Sequence, residues 1–405
     1  MQETRSCARF MGKFSGEDNC LITRNMREFV LCFSADVAEF RNNNLFDEKV
    51  SVRFPGARWV SRLKEHARWP IEFLTVDVAL ARVNAKLLDP NDILVVQHNF
   101  DSECDALVSA GATLLLLTMF ESPLYAPKFY NSIDLASARC RWLMTFEALS
   151  AGAQNNVHAY FPSFAIPDLN QHVNIVPWRD RQFACMMVAN KYVLTAPISL
   201  HSTPEFIIWW VLKAIRQSLT GNPNSRGVQY ARFQLQDRRL EVIESLLKRR
   251  KLDLFGAGWD KLHRVPPEAS RRIAPLIKGM ISTVPDKRAC LSGYKFNICF
   301  ENYAAPSYVT EKIFDAMLSG TVPVYFGAQD IGIYVPASCF VDASSFATMN
   351  ELADYLEKIT ESEALAIIAA GQEFLRSDLG LQYSYEAMAA RVAAKLDEFF
   401  QYEAG

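Results

Sequence analysis

Residues 294–327 read YKFNICFENYAAPSYVTEKIFDAMLSGTVPVYFG, and their order describes a strand, a loop, a helix and a second strand. Tyr294 to Phe300 is a short apolar run of strand length, and Glu301 to Ser307 forms the loop at its carboxyl end. Thr310 suits a helix N-cap, the helix runs to about Ser319, and Gly320 supplies the C′ stop. Thr321 to Phe326 is the next strand, ended by Gly327. Two apolar strands joined through a helix make a βαβ unit and therefore a parallel sheet. The amino end of the connecting helix faces the ligand side of that sheet, with free N–H groups and a positive dipole end that suit a phosphate. Lys312 in the first helical turn runs against the dipole's preference for acids, which makes sense if an anion lies between it and the N–H groups. Glu311 obeys that preference and suits sugar hydroxyls as an acceptor. The same residues also describe an ordinary capped helix with a solvated Glu–Lys pair, and local physics leaves both readings open.

Outward from this unit the α/β rhythm repeats. Apolar runs at Glu28–Ser34, Ile71–Val76, Ile93–Gln97 and Ala112–Phe120 alternate with helix-like stretches such as Ser102–Ala110. Uninterrupted apolar strands fit a parallel sheet covered on both faces. The pattern loosens over Ala151–Asp180, then resumes at Gln182–Val188 and Lys251–Phe255. The expectation is an α/β protein of two Rossmann-like domains with a cleft between them. Its parts are a leader over 1–26, a first domain over 27–178, a second over 179–380 with an insertion at about 196–230, and a closing helix over 381–405. That helix places Met388, Val392, Leu396 and Phe399 on one face. The insertion carries Trp209 and Trp210; it reads as a packed helix, with contact to a partner or a membrane surface through 204–216 as the other reading.

Composition excludes several classes. The chain has 405 residues, 50% apolar and 22% charged, with a net charge of −2. That supports sizeable cores and argues against disorder and against a nucleic-acid partner. Nine Cys without a C-x-x-C, and no apolar run of about 18 residues, point to a reducing compartment and no membrane-spanning helix. The expected location is cytoplasmic or peripheral to the inner membrane face. The six His lack zinc-site spacing, and neither G-x-S-x-G nor a P-loop is present.

The segment Glu301-Asn302, then Tyr308-Val309-Thr310-Glu311-Lys312-Ile313-Phe314-Asp315-Ala316, then Ser319-Gly320-Thr321-Val322-Pro323-Val324-Tyr325 and Gly327, resembles the signature of the α1,3/1,4-fucosyltransferases, glycosyltransferase family 10. The likeness extends more weakly over about residues 90–345. Phe120-Glu121-Ser122-Pro123 resembles the family's F-E-S-P stretch, whose glutamate is the proposed general base. Arg239 stands where the family keeps an arginine on the donor diphosphate, with its neighbour Arg238 as the alternative. Gly256-Ala257-Gly258-Trp259 is similar to the family's glycine-containing turn. The loop 303–307 lacks the glycines of bacterial members, and the stem, membrane anchor and paired cysteines of animal members are not expected. A bacterial-type member follows.

The resemblance implies a GT-B-type fold and an inverting transfer of fucose from GDP-fucose to a GlcNAc or Glc hydroxyl of an N-acetyllactosamine-like glycan, as an α1,3- or α1,4-linkage. It implies Glu121 as base and Arg239, Asn302, Tyr308, Val309, Thr310, Glu311 and Lys312 around the donor, with Glu301, Gly256 and His98 as further candidates. His98, at the end of a strand, also reads as a loop-capping histidine. Since D-x-D is absent, cations are expected to replace a divalent metal at the diphosphate. A relative using another nucleotide sugar, and a non-catalytic glycan-binding protein, are the competing readings.

Overall fold

The computed structural model describes residues 28–35, 37–51, 54, 57–66, 69–171, 176–190, 208, 233–259, 262, 265, 267–277 and 284–403. The leader over 1–26, Trp209 and Trp210, and all of 196–230 except Ile208 lie outside the described residues.

The first sheet consists of β1 (Phe29–Phe33), β2 (Ile71–Thr75), β3 (Ile93–His98), β4 (Thr113–Thr118), β5 (Trp142–Thr145) and β6 (Asn156–His158). The second consists of β7 (Gln182–Met187), β8 (Asp253–Phe255), β9 (Tyr294–Ile298), β10 (Val322–Tyr325) and β11 (Val341–Asp342). Every strand pair is parallel. The orders are β2-β1-β3-β4-β5-β6 and β11-β10-β9-β7-β8. From β8 inwards the second sheet repeats the first: second strand, first, third, fourth, fifth. Each sheet therefore reverses direction once, between β1 and β3 and between β7 and β9, and that reversal opens a crevice at the strands' carboxyl ends.

Sequence chemistry accounts for these elements. The Leu-rich β4 buries five of its six residues, as a strand covered on both faces must. Helix α1 (Arg58–His66) buries Trp59, Val60 and Leu63 against the first sheet. Helix α2 (Ser102–Ala110) starts on the Asp101 carboxylate, which accepts from the N–H groups of Glu103 and Cys104. In the second body, α3 (Gln236–Lys248) precedes β8, and α4 (Glu311–Leu318) joins β9 to β10. Gly320, at φ +63°, closes α4 in a Schellman motif: its N–H donates to Met317 O at 3.1 Å and that of Thr321 to Ala316 O at 3.0 Å.

The last helix, α5 (Tyr385–Glu403), returns to the first body. Met388, Val392, Leu396 and Phe399 join its core, and the Trp69 indole donates to Asp397 at 2.7 Å. An apolar seam then locks the two bodies, built from Leu124 and Phe146 on one side and Tyr303, Ala305 and Tyr308 on the other. The Phe146 and Tyr308 rings meet edge-on at 4.8 Å. Within 151–180, which the sequence reads as loose, Asn156–His158 pair with β5 and extend the first sheet. No helix among the described residues is long and apolar enough to cross a membrane.

Candidate active site

Each reversal point carries a cavity. The first, about 370 Å³, opens beyond β1, β3 and β4 and is lined by Phe33, Val96, His98 and Thr118, among others. The second, about 210 Å³, lies between the two bodies. Met187, Val188 and Ala189 from the end of β7 line it, facing Asn302, Tyr308, Thr310, Glu311 and Lys312. Phe120, Glu121 and Phe161 border both cavities. Glu121 follows β4 in an exposed bend, held by the Tyr130 hydroxyl, which donates to its carbonyl at 2.9 Å. Beside it, the Ser122 hydroxyl is fully buried and makes no hydrogen bond.

On the second body, α4 presents its amino end to the cleft. Thr310 occupies the N-cap position but does not cap the helix with its side chain. Its hydroxyl and N–H instead bond to the Glu301 carboxylate at 2.8–2.9 Å. The Thr310 side chain is thereby turned away from the first-turn N–H groups, as at a phosphate-binding helix end. Lys312 donates to Glu301 at 3.0 Å and to Thr310 at 2.8 Å, and lies 3.5 Å from Glu311. Burial alone would lower the Lys312 ammonium, but Glu301 and Glu311 outweigh it and raise its pKa. Burial raises the Glu311 carboxyl in the same way, and Lys312 with Lys287 reverses that and holds it at about 2. Both groups are therefore charged at neutral pH. Burial, then Glu301, pushes the Tyr308 phenol well up, so it stays a neutral hydroxyl.

Four expectations change. Arg239 does not reach the cavity wall. It is 1% exposed, and its guanidinium donates to Phe300 O at 2.5 Å and to the Asn302 side-chain oxygen at 3.0 Å. It lies behind the wall, bonded to Asn302. Its alternative Arg238 is half-buried and paired with Glu241. Glu301, a candidate toward the donor, is fully buried with its carboxylate taken up by Thr310 and Lys312. Gly256 sits under the wall: at φ +126°, a Cβ there would lie 2.1 Å from Val188 O. Val309 likewise packs into a core cluster and not the cavity. His98 lines the first cavity, with Nδ1 3.0 Å from the Thr118 hydroxyl.

Sequence reasoning missed the β7 end and Phe161 as wall residues. The reading of Gln182–Val188 as a strand held the signal for the former, since its carboxyl end had to face the cleft. The loop 303–307 packs into the seam. Ser307, at φ +62°, donates its N–H to the Asp330 carboxylate at 2.8 Å and accepts from Ala148 N–H at 3.2 Å. Behind it, Gln236 donates to the Tyr125 hydroxyl at 3.2 Å, linking α3 to the turn after Glu121.

Residues 228–366, which hold α3, α4 and the capless helix end, match the profile described as glycosyltransferase family 10 (fucosyltransferase) C-term. The chain carries the C-terminal domain of glycosyltransferase family 10. This family 10 domain is similar to an Arabidopsis thaliana alpha-(1,4)-fucosyltransferase, 48% identical over 69 residues that make up 17% of each chain. It is also similar to the Helicobacter pylori alpha-(1,3)-fucosyltransferase FucT, 42% identical over 74 residues, 18% of this chain and 16% of the relative. The matched stretch thus spans under a fifth of either relative's length. Beyond the family 10 domain, the fold is similar to a solved α1,3-fucosyltransferase, with a TM-score of 0.50 at 17% identity over 91% of both chains. At that identity the likeness speaks for the fold alone: a GT-B-type pair of parallel-sheet bodies facing a cleft.

Proposed function

We propose that this chain is an inverting fucosyltransferase that moves L-fucose from GDP-β-L-fucose to a GlcNAc or Glc hydroxyl of a glycan, forming an α1,3- or α1,4-linkage. The observation that carries the reading is the position of Glu121, which borders both cavities and faces the uncapped amino end of α4. In the proposed reaction the second body, 179–380, holds the donor and the first, 27–178, holds the acceptor. Glu121 takes the proton of the acceptor hydroxyl as its oxygen attacks the anomeric carbon. The bond from that carbon to the β-phosphate oxygen breaks on the opposite face, and GDP leaves with the electron pair.

Charge then builds on the diphosphate. The Lys312 ammonium, held by Glu301 and Thr310 with Glu311 at 3.5 Å, turns an N–H toward a phosphate oxygen when the diphosphate is bound. The α4 N–H groups add to it. Glu311 and Asn302 serve as hydroxyl partners for the donor, and Arg239 keeps Asn302 in place. With cations and N–H groups in this role, the transfer is proposed to need no divalent metal.

The test is incubation with GDP-fucose and a panel of N-acetyllactosamine, lacto-N-biose and lactose, with and without EDTA, read by mass. The expected result is a gain of one deoxyhexose, retained in EDTA and lost in Glu121→Gln. Stabilisation by GDP without transfer would leave a nucleotide site and remove fucose or these acceptors. Activity lost in EDTA and restored by Mn²⁺ would overturn the metal-free reading.

A further inference from the structure

The first cavity is larger than the donor site demands, and its chemistry is unlike that of a sugar site. Its deep wall is built from Phe33, Phe40, Leu45, Trp59, Val60 and Phe120, each no more than 7% exposed. Its polar side chains other than Glu121 are Ser34, His98 and Thr118, and these already bond to one another or to backbone. The Ser34 hydroxyl accepts the His98 N–H at 2.8 Å. The Thr118 hydroxyl meets His98 Nδ1 at 3.0 Å and donates to Gln97 O at 3.3 Å. A second sugar ring pushed into this cavity would bury several hydroxyls beside aromatic carbon, each unpaired one weakening binding about tenfold.

We propose that this cavity receives an apolar aglycone carried by the acceptor, so that a glycoside of a hydrophobic group is preferred over the free oligosaccharide. The inference rests on the proposed transfer at Glu121. What selects this occupant is continuity: Phe120, Glu121 and Phe161 border both cavities, so a sugar hydroxyl at Glu121 leaves the rest of the acceptor at the mouth of the aromatic cavity. An alkyl or aryl group there removes apolar surface from water and asks for no hydrogen bond. The volume of about 370 Å³ accommodates a chain of several carbons.

The test compares methyl, n-butyl and n-octyl β-glycosides of N-acetyllactosamine, below micellar concentration, on the full chain. Each buried CH₂ is expected to raise kcat/KM about fourfold, so butyl exceeds methyl by roughly 60-fold. Ala57 lines the first cavity and not the second. Ala57→Phe is expected to abolish the chain-length gain while keeping turnover of the methyl glycoside; Val37→Phe, at another point of the wall, does the same should the first variant not fold. Binding is read independently of turnover, as quenching of Trp59 fluorescence by a bromobutyl glycoside, absent in Trp59→Phe. Chain-length gain together with quenching supports the inference. Equal kcat/KM for methyl and butyl without quenching overturns it and leaves the transfer reading standing, the cavity then being filled by sugar or by another part of the chain. Quenching without transfer to any acceptor supports the apolar site and overturns the transfer reading.

Discussion

At the carboxyl ends of β1 and β3 the first sheet opens onto aromatic carbon, whereas at the matching ends of β7 and β9 the second opens onto Thr310, Glu311 and Lys312. The two sheets share one strand order, and each places its cavity where that order reverses. Topology thus decides where a ligand lies, while the side chains after each strand decide its chemistry. In the first body the residues after β4 are Met119, Phe120, Glu121 and Ser122, with one carboxylate and no other charge among them. In the second, the helix after β9 brings a charged pair whose pKa values are pushed apart in the direction that keeps both ionised.

The largest expected effect tests whether the single carboxylate between the cavities does the chemistry. Glu121→Gln is expected to lower kcat about 10²–10⁴-fold with GDP stabilisation unchanged in a thermal shift. A near-normal rate would reduce Glu121 to a wall residue and break the division of labour between the bodies.

Next in size is the charged side. Lys312→Ala leaves Glu301 buried without its cation, a loss of about 3–5 kcal/mol in urea unfolding, with weaker GDP binding by calorimetry. Adding Glu301→Gln is expected to restore much of the stability and none of the GDP affinity. Unchanged GDP affinity in Lys312→Ala would contradict the phosphate role.

A smaller effect separates the two cavities. Gly256→Ala forces a Cβ onto Val188 O and strains the backbone by about 1–3 kcal/mol. Because Val188 lines only the charged cavity, GDP binding should weaken while quenching of Trp59 by an apolar glycoside stays the same.

The smallest effect is in pH. The Glu311 pKa is lowered on folding from 4.5 to about 2, so the folded state binds fewer protons there. Its contribution to stability is complete above pH 4.5 and is lost as pH falls towards 2. Glu311→Gln should therefore flatten the stability–pH slope across that window. Lys312, raised on folding, acts in the opposite sense, its contribution being lost at alkaline pH. An unaltered acid slope in Glu311→Gln would show that the carboxylate does not feel its two lysines.

Much of the fold was legible because its longer strands are uninterrupted apolar runs. The expected Ser102–Ala110 helix and the β9–α4–β10 unit match the observed bounds within a residue or two. What escaped was short: β5, β6 and β11 span four, three and two residues, too few for a pattern to declare itself. The site divides in the same way. Glu121 and Lys312 stand at a strand end and a helix start, positions that local sequence defines. Arg239 and Glu301 carry equally suggestive charges, yet their partners Asn302 and Thr310 are assembled by packing between α3, β9 and α4.

Sequence alone therefore determined the α/β alternation, the place of the β9–α4–β10 unit and the carboxylate after β4, because periodicity and strand-end position are local properties. Only the tertiary structure decided that Glu121 borders two cavities, that Arg239 stands behind one of them and that the other is aromatic. Those facts depend on contacts between residues distant in sequence, which the packing of the two sheets and α5 brings together and no local pattern encodes.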